Sequence, residues 1–195
     1  MSNDCSGVLK VVAKNKETLE RIKNILKYED SEYCLYRCKY AYPMGDIYNE
    51  SGFIYNENGF WVQDFEVCGA WNCDNFFHYG DNEDKKVVVG YELGENGRED
   101  YDRPKYGTAH FTDLCHLAKV LDFGCELFAS ESGCCFCSHH LINHNGEMVC
   151  DEVGDYELIY PEDEDGEPDY DADPEEEFGI DGFMGFCSAE EIYGE

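Results

Sequence analysis

The chain has 195 residues and carries 44 Asp and Glu against 14 Lys and Arg, a formal net charge of −30. That charge argues against direct binding to nucleic acid or to anionic lipid. At 43% hydrophobic and 15% aromatic residues, the composition excludes a disordered polyanion and allows a buried core.

Taken in chain order, residues 5–13 read as a first strand. Asn15 opens a helix with Glu17, Thr18 and Glu20 in its first turns and Lys23 and Lys27 towards its end, matching the helix dipole. Leu19, Ile22, Ile25 and Leu26 form its apolar stripe. Residues 33–42 are rich in β-formers and read as one strand ended by Pro43. Residues 53–55 and 60–67 flank Asn58-Gly59, a strong hairpin signal. Within the second arm Trp61, Gln63, Phe65 and Val67 share one parity and Phe60, Val62, Asp64 and Glu66 the other.

Residues 79–82 read as a turn, residues 85–93 as a strand and residues 94–106 as a polar loop. Thr108 or Thr112 is expected to cap a second helix ending near Leu121 or Asp122. Strands are expected over residues 123–129, 134–142 and 147–153, and a short one over 156–160. This order of elements predicts an α+β fold with a mainly antiparallel sheet and helices on one face; a β-α-β-β-α-β core is its simplest form. The expected division is a domain over 1–155 and an acidic C-terminal extension over 156–195, partly disordered or docked back.

Charge is divided unevenly. Lys119 is the last basic residue, and residues 120–195 hold 23 acidic residues against none positive. Residues 161–177 are acidic, of low complexity and punctuated by proline, which predicts a loosely tethered segment. Residues 178–193 regain apolar side chains that could dock on the domain or bind a partner. Residues 1–10 are short and polar, unlike a secretory signal, and no run reaches the ~18 apolar residues of a membrane span. A soluble protein in the cytoplasm of a host cell is expected.

Twelve cysteines suggest thiols in a reducing compartment, as core residues, metal ligands or a reactive group. Cys5, Cys34, Cys115 and Cys125 lie in apolar-periodic segments and read as core. Cys134, Cys135, Phe136, Cys137, Ser138, His139 and His140 form the densest cluster, with His144 and Cys150 nearby. On a strand, Cys135, Cys137 and His139 would share the face opposite Phe136. Begun as a turn, the segment offers Cys134 and Cys137 as a C-x2-C pair, which Cys68 and Cys73, spaced C-x4-C, could complete as a four-cysteine site. Thiolate and imidazole suit a structural zinc ion. The other reading of these positions is buried cysteines with surface histidines. His110 and His116 flank Cys115 in sequence, but helical neighbours do not share a face, so a nucleophile pair is not expected. No phosphate-binding glycine loop and no HExxH motif occurs, and no enzymatic activity is expected.

Three segments together resemble the YubB-type ferredoxin-like proteins, small accessory proteins of phages and plasmids. Residues 1–5 leading into Leu9, Val11 and Ala13 resemble the family's opening. Residues 65–72 (FEVCGAWN) resemble its strand ending in Ala-Trp, and residues 131–147 its Glu-x-Gly-x-x-Phe hairpin with an Asn-Gly turn. The resemblance covers roughly residues 1–155; the cysteine load, Asn72-Cys73 after the tryptophan and the acidic C-terminal part depart from it. It implies a ferredoxin-like sheet and a mobile-element origin, and supplies no catalytic residues.

Acidity, the mobile-element origin that the resemblance implies and the lack of a catalytic motif lead to one functional expectation, an inhibitor of the anti-CRISPR type. It would occupy the cationic nucleic-acid channel of a host nuclease such as a type II CRISPR–Cas effector and block target DNA binding or loading. The expected contact residues are Glu162, Asp163, Glu164, Asp165, Glu167, Asp169, Asp171, Asp173, Glu175, Glu176 and Glu177, with Tyr156, Tyr160, Tyr170, Phe178 and Phe183 as aromatic anchors. The alternative is a zinc-stabilised phage accessory module that binds another host protein.

Overall fold

A computed structural model describes residues 4–27, 29–35, 38–44, 54–70, 73, 76–77, 83–93, 99–131, 135–162, 166–180 and 185–195. The fold is α+β and mostly antiparallel. Its centre is β1 (Asp4–Ala13), which pairs antiparallel with β5 (Phe60–Ala70) on one side and β8 (Phe123–Glu131) on the other. Outward from β8 come β9 (Phe136–Ile142), β10 (Met148–Ile159) and β11 (Glu175–Phe178); outward from β5 comes β3 (Cys38–Pro43). β4 (Ile54–Glu57) also pairs with β5, through a turn in which Asn58 and Gly59 have φ of 52° and 97°. Positive φ at both positions is what an Asn-Gly hairpin supplies.

A second sheet has the order β2 (Tyr33–Leu35), β7 (Glu99–Thr112), β6 (Glu83–Leu93). Residues 33–42 are therefore two strands in two sheets: β2 runs parallel to β7, and β3 antiparallel to β5. The expected polar loop is corrected as well, since from Glu99 it belongs to β7. Pro104 sits there opposite Tyr91, where β6 is the neighbouring strand and the register shifts, a setting that tolerates a missing N–H. The turn expected over 79–82 lies outside the described residues.

Helix α1 (Lys16–Leu26) starts where expected: Asn15 caps it by accepting from the Thr18 N–H at 2.9 Å. Such a cap contributes about 1 kcal/mol. Helix α2 (Leu114–Leu121) is capped by Asp113, whose Oδ1 accepts from the His116 N–H at 2.8 Å, and not by either threonine. Thr108 and Thr112 are strand residues of β7.

The sheet is covered on both faces. Leu9, Val11 and Ala13 of β1, with Phe65, Val67, Leu127 and Ile142, pack with Leu19, Ile22, Ile25 and Leu26 of α1 and Leu114, Leu117 and Ala118 of α2. The opposite face carries Val12, Phe60, Val62 and Leu141, covered by Ala189, Ile192 and Tyr193 of α3 (Ala189–Tyr193). Helices thus lie on both faces. Gly124 permits the α3 contact, because a Cβ there would meet the Ile192 carbonyl oxygen at 2.3 Å. β10 runs unbroken through residue 156, and Glu175–Phe178, which includes the last acidic residues of the run expected to be loosely tethered, adds an edge strand to it.

Candidate functional site

The face under α3 holds a polar group in an otherwise apolar setting. β8 contributes Glu126, which is fully buried, and β9 contributes His139. His139 Nε2 lies 2.8 Å from Glu126 Oε1. A carboxylate accepts, so His139 donates through Nε2 and turns its Nδ1 towards Cys150 Sγ at 3.4 Å. The second oxygen, Glu126 Oε2, accepts from the Cys187 N–H at 2.7 Å. Lys10, also buried, donates to the Cys187 carbonyl at 2.9 Å and lies 3.7 Å from Glu57, which in turn accepts from the Ala189 N–H at 2.8 Å. The side chains of Lys10, Glu57 and Glu126 thereby fix the segment that leads into α3.

Strand register explains the convergence. Glu152 of β10 stands directly opposite His139, and Cys150 lies two residues away on the same face. The ligand atoms of His139, Cys150 and Glu152 all lie within 4.8 Å of one another. This donor set, one imidazole, one thiol and one carboxylate, fits a divalent ion of the zinc type. Burial raises the Cys150 thiol pKa, with Glu152, Glu126 and Asp151 adding to the effect; Cys187 is raised by burial and Glu126.

Among the described residues, the ligands expected from sequence fall elsewhere, apart from His139. The alternation was as expected: Phe136 packs towards the main core, while Cys137 faces the other side with Tyr156 and Ile180. The Cys137 thiol donates to the carbonyls of Gly154 and Asp155 at 3.6 and 3.2 Å. Cys135 precedes the strand, exposed and with φ of 56°, and Cys134 lies outside the described residues. Cys73 is in the main core, its thiol donating to the Cys5 carbonyl at 3.5 Å, whereas Cys68 pairs with Ser6 on the opposite face. Cys68, Ser6, Ser130 and Cys137 form one row across four strands, so Cys68 and Cys137 stand about 14 Å apart. That row does not close around an ion. Glu126 was not among the expected site residues; its signal is a lone carboxylate inside the apolar strand FGCELFA.

Around Cys115, His110 and His116 turn their rings to Tyr33, with centroids 6.0 and 6.2 Å away. Burial, Asp113 and Asp151 push the Cys115 thiol up to about 12, the opposite of activation.

The acidic residues form a second feature. Glu162, Glu167, Asp171, Asp173, Glu175, Glu176 and Glu177 are exposed, and Asp169 is half-buried. Across the β10–β11 ladder Glu157 stands opposite Glu177, Leu158 opposite Glu176 and Ile159 opposite Glu175. Tyr156 is an internal anchor, buried, bonded through its hydroxyl to Glu176 at 2.7 Å and stacked on Phe178 at 5.2 Å. Tyr160 meets Tyr170 at 4.9 Å, and Tyr170 is 74% exposed. Asp163, Glu164, Asp165 and Phe183 lie outside the described residues.

The chain matches no family model, no curated protein and no solved structure. Among the described residues no helix is long and apolar enough to cross a membrane.

Proposed function

We propose that this chain is a non-enzymatic inhibitor encoded by a mobile element, which uses the acidic surface of β10, β11 and the connection between them to occupy a cationic nucleic-acid channel. The observation that carries this reading is the placing of exposed carboxylates opposite one another on paired strands, Glu157 against Glu177. Like charges directly across a ladder destabilise it, so folding alone gives no reason for them. No lysine or arginine follows Lys119 to offset the field. Such a surface attracts a protein whose own channel is built to bind phosphates. A CRISPR–Cas effector of type II is the proposed target, since it holds a guide–target duplex in a channel of that kind. Tyr170 supplies an exposed aromatic contact beside the acidic residues.

A ferredoxin-like core is part of this reading. In chain order β1, α1, β3, β5, α2 and β8 follow a β-α-β-β-α-β sequence, with further strands inserted. β5 lies between β1 and β3, and β8 lies on the other side of β1. That arrangement supports the resemblance to YubB-type proteins.

Binding to a purified effector–guide complex, measured against salt, tests the proposal. Affinity should fall steeply as salt rises, and replacing Glu157, Glu175 and Glu177 by Gln should cut the association rate about tenfold or more. An unchanged rate in that variant would remove this surface from the mechanism.

The second reading, a zinc-stabilised module that binds another host protein, is favoured by one observation, the convergence of His139, Cys150 and Glu152. Capture of a different host protein, with no binding to the effector, would select it.

A further inference from the structure

We propose that His139, Cys150 and Glu152 bind one divalent cation of the zinc class, through His139 Nδ1, Cys150 Sγ and a Glu152 carboxylate oxygen, with the fourth position open to solvent. This goes beyond the inhibitor reading and does not depend on it.

Separation is the first support. In a tetrahedral site with metal–nitrogen bonds of ~2.0–2.1 Å and metal–sulfur bonds of ~2.3 Å, the two ligand atoms stand about 3.5 Å apart. His139 Nδ1 and Cys150 Sγ stand 3.4 Å apart. Orientation is the second. Glu126 is fully buried and accepts from Nε2, which leaves the Nδ1 lone pair aimed at the thiol and the ion. A carboxylate behind a ligating imidazole is the arrangement that fixes the tautomer and raises the basicity of the ligand nitrogen. Glu126 is held in its turn by the Cys187 N–H at 2.7 Å, so the positioning residue cannot swing away. Rigidity is the third support, since His139 and the two β10 ligands come from adjacent paired strands. Glu152 is exposed, which gives the ion a route in and leaves one position to water.

Binding deprotonates Cys150, forms the metal–sulfur bond and releases the thiol proton to solvent. No oxidation occurs. Two of these ligands, Cys150 and His139, also line up with Glu126 as the thiol, imidazole and carboxylate of a hydrolytic relay. The exposed carboxylate of Glu152, opposite His139 and within 4.8 Å of the other two donor atoms, favours the cation.

The test is titration of the reduced, full-length protein with Zn²⁺ alone and with Co²⁺ as a spectroscopic probe. One equivalent should bind, with a thiolate-to-cobalt charge-transfer band. Cys150→Ser should abolish the band, and Cys115→Ser should leave it intact. Glu152→Ala, at an exposed position that tolerates change, should weaken Zn²⁺ by at least about tenfold, and Glu126→Gln by about 10–100-fold. Zn²⁺ should slow alkylation of Cys150 by iodoacetamide. No uptake, a band that survives Cys150→Ser, or alkylation of Cys150 as fast with Zn²⁺ as without it would overturn the proposal.

Discussion

Glu157 on β10 and Glu177 on β11 are direct cross-strand partners, and both are exposed. Two carboxylates in register on an antiparallel pair repel each other, and here they sit at the outer edge of the large sheet. Stability and binding should respond in opposite directions at this pair. Glu177→Gln should raise unfolding stability by about 0.2–1 kcal/mol in low salt, measured by urea titration, and weaken binding to a cationic partner. A variant that loses stability would mean that Glu177 has a favourable contact instead.

Docking of the C-terminal segment depends on a close approach at Gly124, whose missing Cβ leaves room for the Ile192 carbonyl oxygen. Gly124→Ala should displace α3 and cost about 1–3 kcal/mol, the range for overpacking a tight contact. Amide exchange of residues 187–193 should accelerate more than exchange of α1. Equal protection in variant and parent would show that the backbone yields without releasing the helix.

Glu126 ties three elements together by accepting from both His139 and the Cys187 N–H. Glu126→Ala should take the acceptor from the Cys187 N–H and from His139 Nε2, at a cost of about 3 kcal/mol. Asp122 is the useful contrast. It accepts from the Tyr193 hydroxyl at 2.5 Å and from His144 Nδ1 at 3.2 Å, but is itself exposed. Asp122→Asn should therefore cost under about 1 kcal/mol. Thermal unfolding of the two variants side by side checks the ranking.

Tyrosine ionisation gives a pH prediction. Burial, then Asp64 and Glu57, raises Tyr55 to about 12, and burial with the Glu176 contact raises Tyr156 to about 12. Both groups hold their protons more tightly in the folded chain than in the unfolded chain, where tyrosine titrates near 10. Their contribution is fully present below pH ~10 and is lost as pH rises through about 12. Tyrosinate absorbance should show a late-titrating class that moves down towards ~10 when urea unfolds the protein. Tyr156→Phe should remove one member of it.

Local pattern made some of this molecule readable. The α1 stripe, its Asn15 cap and the Asn58-Gly59 hairpin are short-range signals, and each element formed where its residues pointed. β7 was hidden because Pro104 and its charged, glycine-bearing surroundings read as loop; pairing with β6 along its length overrides that preference. The split of residues 33–42 between two sheets leaves no mark on a run of β-formers. At the site, the alternation of Phe136, Cys137 and His139 placed His139 on its face. Cysteine spacing misled, because Cys68 and Cys73 lie on opposite faces and Cys68 and Cys137 are separated by two intervening strands. Glu126 and Glu152 were obscure for different reasons. One is a carboxylate buried in an apolar strand, and the other is lost among 44 acidic residues.

An order-of-addition experiment decides whether the acidic surface blocks DNA loading. A type II CRISPR effector loaded with guide is given this protein before or after target DNA, and DNA binding and cleavage are followed by gel shift. Inhibition should appear when the protein is added first, be small once DNA is bound, and be lost when the exposed acidic residues of β10 and β11 are neutralised. Equal DNA binding and cleavage with and without micromolar protein would contradict this mechanism.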